Sequence, residues 1–219
     1  MAVCVPMVVP VREGIVQMPD SELVTLVATL MQSRQTILPK RLSSPGPDAE
    51  QLHWILDAAA SAPDHGQLLP WRFVLVPTDA RASLAQVFGV ALQERDPHAT
   101  PEQVSQAEEK AFRSPLLLLA IVDAQRGDPD IELHERIISA GCAVQNMLLM
   151  ATALGYGSAL TSGKALKSVG LRELFNLEVG EHALCFISVG TALSSKHAKL
   201  RPTVRDYVST LRVDESSGS

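Results

Sequence analysis

Cysteine is scarce in this chain and badly placed for structure. The three residues, Cys4, Cys142 and Cys185, fall in no CxxC pair and at no metal-ligand spacing, which excludes a disulfide framework and a zinc framework alike. Reduced thiols in a cytoplasmic protein are expected, and the apolar surroundings of Cys142 and Cys185 predict small packing residues. Positive charge is in deficit too: a formal net charge of −5 argues against nonspecific nucleic-acid binding as the main activity. A targeting segment is missing as well. Residues 1–17, "MAVCVPMVVPVREGIVQ", are apolar but hold Pro6 and Pro10 and carry no basic start, so neither a signal peptide nor a membrane span is expected. They are expected to be an N-terminal extension, and residues 213–219 a disordered tail.

Motif after motif also fails. "LGYGSALTSGKAL" approaches two phosphate-binding patterns. Leu160 stands at the third glycine of GxGxxG, while Ser158 and Ala165 stand where a P-loop needs Gly and Ser or Thr. "HERII" starts like a zinc-protease helix but has Ile138 at the second histidine. No serine sits in GxSxG. The six histidines are dispersed, so no metal site is expected, and His53, His98, His134 and His182 are expected on helix faces or at the surface.

What remains is a 219-residue chain with 46% hydrophobic residues, enough for one sizeable core. Apolar spacing predicts helices over 20–33, from a cap at Asp48 to about Pro63, over 79–95 and 101–113, and over 131–155. Continuous apolar runs predict buried strands at "RFVLV", "PLLLLAIVD", "YGSALTS" and "ALCFISVG". Helices alternating with about four strands give one α/β or α+β domain with helices on both sheet faces. From Ile137 onward the 131–155 helix is apolar nearly all round, which predicts burial on every side. A monomer of this size accommodates that poorly; packing against a second copy would solve it.

Two features exceed scaffolding. The corner "SAPDHGQLLPWRF" (61–73) crowds two prolines, an Asp-His pair and a Trp-Arg between a helix and a strand, far more than a plain connection needs. Pro63 and Pro70 limit its backbone freedom. Trp71 is expected to anchor packing, Asp64 to brace the turn and Arg72 to pair with a carboxylate. The second feature is a set of basic residues at both ends: Arg34, Lys40 and Arg41, then Lys196, Lys199, Arg201 and Arg205. They either converge on one anion, such as a phosphate, or stay apart as solvated surface charges.

Four blocks in order, "RQTILPKRLSSPGP", "SAPDHGQLLPWRFVLV", "SAGCAVQNMLLMATALGYGSALTSG" and "SVGT…KLRP", resemble the FMN-dependent nitroreductase family. The match is best to its compact branch of NAD(P)H nitroreductases with an APDH corner. The resemblance covers residues 18–212 as a single domain. It implies a three-layer α+β sandwich with a mixed, largely antiparallel sheet. It also implies an intertwined homodimer holding FMN at two interface sites. Arg34, Gln35 and Thr36 match the family's Arg-Arg-Ser position, where an arginine meets the FMN phosphate and ribityl chain; Gln35 and Thr36 depart from the commonest residues but keep hydrogen-bonding capacity. Ser61 and His65 match corner residues that contact the flavin from the neighbouring subunit. Gln67 holds a position often occupied by Asn that reaches the isoalloxazine edge. Leu160, Thr161 and Ser162 match the strand end beside the ring, where some relatives have Arg in place of Thr161. Lys199 and Arg201 match basic residues that close over the phosphate.

The implied chemistry takes hydride from NADH or NADPH to flavin N5. A second exchange at the same site passes it to a small electron-poor acceptor: a nitroaromatic, quinone or activated alkene. No side chain is required as a nucleophile, so no catalytic residue is expected beyond the cofactor contacts. Other flavin chemistry on the same fold (dehalogenation, small-aldehyde reduction, flavin fragmentation), a noncatalytic flavin sensor and a cofactor-free interaction domain are the alternatives.

Overall fold

The run Leu116–Asp123 forms β3, the strand around which the sheet is laid out. Leu117 to Val122 are buried without interruption, as expected of a strand covered on both faces. β3 pairs antiparallel on one side with β2 (Trp71–Leu75) and on the other with the long β5 (Glu181–Ala192). β5 also pairs antiparallel with β4 (Gly157–Thr161) and with the two-residue β1 (Leu42–Ser43). One parallel bridge, Thr36 to Ser158, makes the sheet mixed. The computed structural model describes residues 20–193 and 200–212. The expected extension (1–17), the expected tail (213–219), Cys4, Lys196 and Lys199 lie outside the described residues.

Alternation along β3 splits the core in two. Leu118 and Ala120 face one layer, with Ile187 and Val189 of β5, Ile55 and Ala59, and Ala143, Met147 and Ala151. That layer is α2 (Ala49–Asp57) and the long α5 (Leu133–Ala153). Leu117, Leu119 and Ile121 face the other, with Leu84, Ala111, Leu171 and Phe186. This second layer holds α3 (Arg81–Arg95), α4 (Pro101–Glu108) and α6 (Val169–Leu174). The expected α+β sandwich, with a mostly antiparallel sheet flanked by helices, is what the chain forms.

Local chemistry explains the helix starts. Asp48 and Gln51 form a reciprocal capping box at α2, and Thr100 and Gln103 form another at α4 with Pro101 in its first turn. Two expectations need correction. "RFVLV" is an edge strand: β2 pairs with β3 alone, its residues are half-buried, and Leu75 is exposed. The apolar run reflects packing on both core layers, Phe73 on one and Val74 and the buried Val76 on the other, beside an edge that no strand covers. The helix expected over 101–113 ends at Glu108 and finishes as a 3-10 turn, Glu109–Phe112.

In the single chain α5 is buried along one side only. Ser139, Ala140, Ala143, Val144, Met147 and Ala151 face the core, whereas Ile137 and Ile138 are exposed, with Gly141 and Gln145 beside them. α1 (Asp20–Ser33) likewise leaves Val24 and Leu26 exposed. Among the described residues no helix is long and apolar enough to cross a membrane.

Candidate functional site

The predicted residues fall into two groups on this frame. The first forms where α1 ends. Past Ser33 the chain turns extended, Ile37 is buried as an anchor, and its N–H donates to the Ser158 carbonyl at 2.9 Å. Arg34 and Gln35 are half-buried and Thr36 is exposed, all three beside the start of β4. Arg201 arrives from the far end of the sequence: its Nη2 donates to the carbonyls of Gln32 (3.2 Å) and Arg34 (2.9 Å). A cation at a helix C-terminus satisfies orphan carbonyls and the end dipole. So the two basic clusters do meet, through Arg201 and the backbone of Arg34.

Beside them lies Ser158, 2% exposed, whose hydroxyl is buried with no hydrogen-bond partner among the described residues. A buried polar group left unpaired is costly. At the other end of the same strand, Leu160, Thr161 and Ser162 are exposed, and beyond them the space around Gly163 is open.

The second group is the corner. Helix α2 runs into a 3-10 turn, Ala58–Ser61, whose Ala59 enters the core while Ser61 is exposed. A second turn, His65–Gln67, follows Asp64. Gly66, Gln67 and Leu69 all have positive φ (68°, 52° and 48°), and the two side-chain-bearing residues carry real strain there. Several contacts hold the strained loop. Asp64 accepts from the Leu69 N–H at 2.6 Å, so it braces the turn as expected. His65 Nδ1 lies 2.8 Å from Glu135 Oε2 in the first turn of α5; this hydrogen bond holds the Glu135 carboxyl below the usual carboxylate range. Leu68 packs onto Gly127 and Gly66 onto Ile131. Pro70 is buried, and its carbonyl accepts from the Asp123 N–H.

The last residues of the corner act as expected. Trp71 donates from Nε1 to Ser139 Oγ at 3.0 Å and its ring lies 5.4 Å from Phe73, a packing anchor. Arg72 forms a two-pronged pair with Glu181 at 2.6 and 2.8 Å.

Sequence reasoning missed Glu135 and Arg136. Glu135 lies inside the rejected "HERII" motif, and nothing local links it to His65, 70 residues away. Arg136 is 1% exposed and donates to the carbonyls of Asp123, Arg126, Asp128 and Ile131, gathering the loop on which the corner rests. Its full burial was unforeseeable from a charged residue in a polar turn.

Within one chain the two groups are far apart. Trp71 pairs with Val122, and Val122 with His182, whereas Ser158 pairs with Val189. The offset along β5 is roughly 20 Å at the rise of an extended strand. The donor set of the first group, two guanidiniums, a half-buried Gln, a Thr and an orphan buried hydroxyl, fits an anionic phosphate with a polyol attached, as in FMN. A groove of about 380 Å³ at the free edge of β2, lined by Val74, Leu75, Leu174 and Phe175 among others, shares none of the predicted site residues. No metal-binding cluster occurs among the described residues.

Comparison with known proteins identifies the family and the fold. A family model described as the nitroreductase family matches residues 31–191. A "Putative NAD(P)H nitroreductase" of Haemophilus influenzae is 30% identical over 184 residues, covering 84% of this chain and 98% of the relative. Among solved structures, a nitroreductase-like family protein from Bacillus cereus superposes with a TM-score of 0.73 at 16% identity, covering 84% of this chain and 95% of that one. Oxidised iodotyrosine deiodinase bound to FMN and 3-iodo-L-tyrosine superposes with a TM-score of 0.62 at 20% identity, covering 81% and 96%.

Proposed function

Because the chain belongs to the nitroreductase family, an oxidoreductase family, we propose that it is an FMN-dependent enzyme. In this reading NADH or NADPH is the reductant, and the acceptor is a small electron-poor molecule such as a nitroaromatic, quinone or activated alkene. The observation that carries the reading is the meeting of Arg201 with the Arg34 segment beside the orphan hydroxyl of Ser158. Bound FMN would supply the hydride chemistry, in two exchanges at one site.

The chain's own residues bind and orient. Arg34 and Arg201 would neutralise the phosphate, with Lys199, outside the described residues, assigned there by resemblance alone; Gln35 and Thr36 would take the polyol, and the exposed Leu160, Thr161 and Ser162 would form a ledge for the ring. Thr161 brings no charge to that ledge, so the electrostatics that favour reduced flavin must come from cations and N–H groups around it. Ser61, His65 and Gln67 approach from a second copy.

That second copy is part of the proposal. The roughly 20 Å along β5 between the corner and the Arg34 segment supports a site completed by two chains. The exposed stripe of Ile137, Ile138 and Gly141 on α5 supports a homodimer joined there. So does the arm 200–212, which leaves Leu200, Tyr207 and Leu211 exposed while anchored by Arg201. Apolar surface of this extent on a lone chain marks an interface.

The test is the absorbance spectrum of the purified protein, followed by anaerobic NADPH or NADH. Oxidised-flavin bands that bleach on addition are expected, after which an acceptor screen narrows the substrate. No flavin bands, even after incubation with FMN, would overturn the reading.

A further inference from the structure

We propose that Glu135 is a positioning residue that sets which ring nitrogen His65 offers to the bound flavin. The proposal rests on the reading above that the corner faces a flavin.

The argument begins with the strain in the corner. Three left-handed positions within four residues, Gly66, Gln67 and Leu69, would relax unless the surroundings over-determine them. The first turn of α5 supplies two clamps from adjacent residues. Arg136, buried, spends its guanidinium on four carbonyls of the 123–131 loop, and Leu68 and Gly66 rest on that loop at Gly127 and Ile131. Glu135, next along the helix, reaches the corner directly through His65 at 2.8 Å.

The chemistry of that contact is one-directional. An ionised carboxylate only accepts, so Nδ1 must carry the proton it shares with Glu135. In neutral His65 the outward Nε2 is then an acceptor lone pair, and the ring plane is fixed by the carboxylate rather than by packing. The His65 side chain is 68% exposed, so no other described contact pins it. Glu135 is half-buried and adjoins the buried Arg136, whose carbonyl contacts gather the loop beneath the corner, so its carboxylate is seated where the corner rests. Glu135 therefore both holds the His65 ring and selects its tautomer.

The experiment uses the full chain with Glu135→Gln, His65→Ala and the double variant. Histidine-ring nitrogen NMR of the flavin-free protein, with His65 assigned by its loss in His65→Ala, reads the tautomer. Flavin-fluorescence titration with FMN reads affinity. Expected are a protonated Nδ1 in the wild type, a mixed or Nε2-protonated ring in Glu135→Gln, and FMN binding weaker by about fivefold. That loss should vanish in the His65→Ala background. Wild-type FMN binding with an unchanged tautomer and affinity in Glu135→Gln overturns this proposal alone. An effect that persists without His65 overturns it too, because Glu135 would then act by another route. A wild-type chain that binds no FMN overturns the functional reading and this proposal with it.

Discussion

Arg201 donates from its guanidinium to the carbonyl oxygen of Arg34, 2.9 Å away across 167 residues of sequence. This contact joins the two basic ends of the chain and caps the exit of α1. If Arg34 holds the FMN phosphate as proposed, Arg34→Ala removes a charge-assisted contact and is expected to weaken FMN binding by about 1.5–3 kcal/mol. Arg201→Ala should weaken it by a similar amount and also free the C-terminal arm. Arg201→Lys keeps the charge but not the planar fork that spans two carbonyls, so an intermediate affinity is expected. Fluorescence titration of FMN measures all three, and unchanged affinity in Arg34→Ala would remove the phosphate assignment.

The open stripe on α5 makes a separate prediction. Ile138 is 61% exposed in the single chain, so an arginine there costs the isolated fold little. In a contact between two α5 helices the same arginine is an uncompensated charge among apolar groups. Association is expected to weaken by about 3 kcal/mol or more. Sedimentation equilibrium should show a dimeric wild type and a largely monomeric Ile138→Arg. If the site is completed by two chains as proposed, flavin content should fall with the dimer.

Legibility in the sequence followed distance along the chain. The presence of β3 and α5, the cap at Asp48 and the brace at Asp64 rest on neighbouring residues, and spacing or turn chemistry exposes those. Helix α6 escaped because six residues hold too little of a 3.6-residue period to register, even though Ser168 caps it through the Leu171 N–H. Nothing in "RFVLV" distinguishes an edge strand from a central one, because that depends on which strand lies beyond it. The meeting of Arg34 and Arg201 stood as one of two open alternatives. The pairing of His65 with Glu135 had no signal at all, since carboxylates 70 residues away are indistinguishable from one another in a sequence.

Gly127 tests how tightly the corner is seated. At φ 72° an added Cβ is strained, and it would also lie 2.5 Å from Cδ2 of Leu68. Gly155, at φ 84° with nothing within 4 Å, is the matched control that carries the backbone cost alone. Gly155→Ala is expected to destabilise the fold by about 1 kcal/mol and Gly127→Ala by about 1 kcal/mol more. Urea denaturation of both variants measures the difference. Equal losses would mean that Leu68 swings away freely and that the corner is loosely held.

The pair between Arg72 and Glu181 sets the acid response of the sheet edge. Hydrogen bonds from Arg72 hold the Glu181 carboxyl below the ordinary carboxylate range, outweighing the opposing effect of burial, and the Glu178 N–H adds to them. Unfolded, the same carboxyl titrates at about 4.3. Between the depressed folded value and that ordinary one, the unfolded chain binds a proton that the folded chain does not, so stability rises with pH across that window. The contribution is complete above the ordinary value and is lost as pH falls through the folded one. Arg72 keeps 39% of its side chain exposed, so solvent screening discounts the pair. A cost of about 1–2 kcal/mol is expected for Glu181→Gln at neutral pH. Urea midpoints taken from about pH 3 to pH 7 should therefore converge for wild type and Glu181→Gln at the acid end and separate as pH rises. Parallel curves would place the pair's contribution in packing rather than in charge.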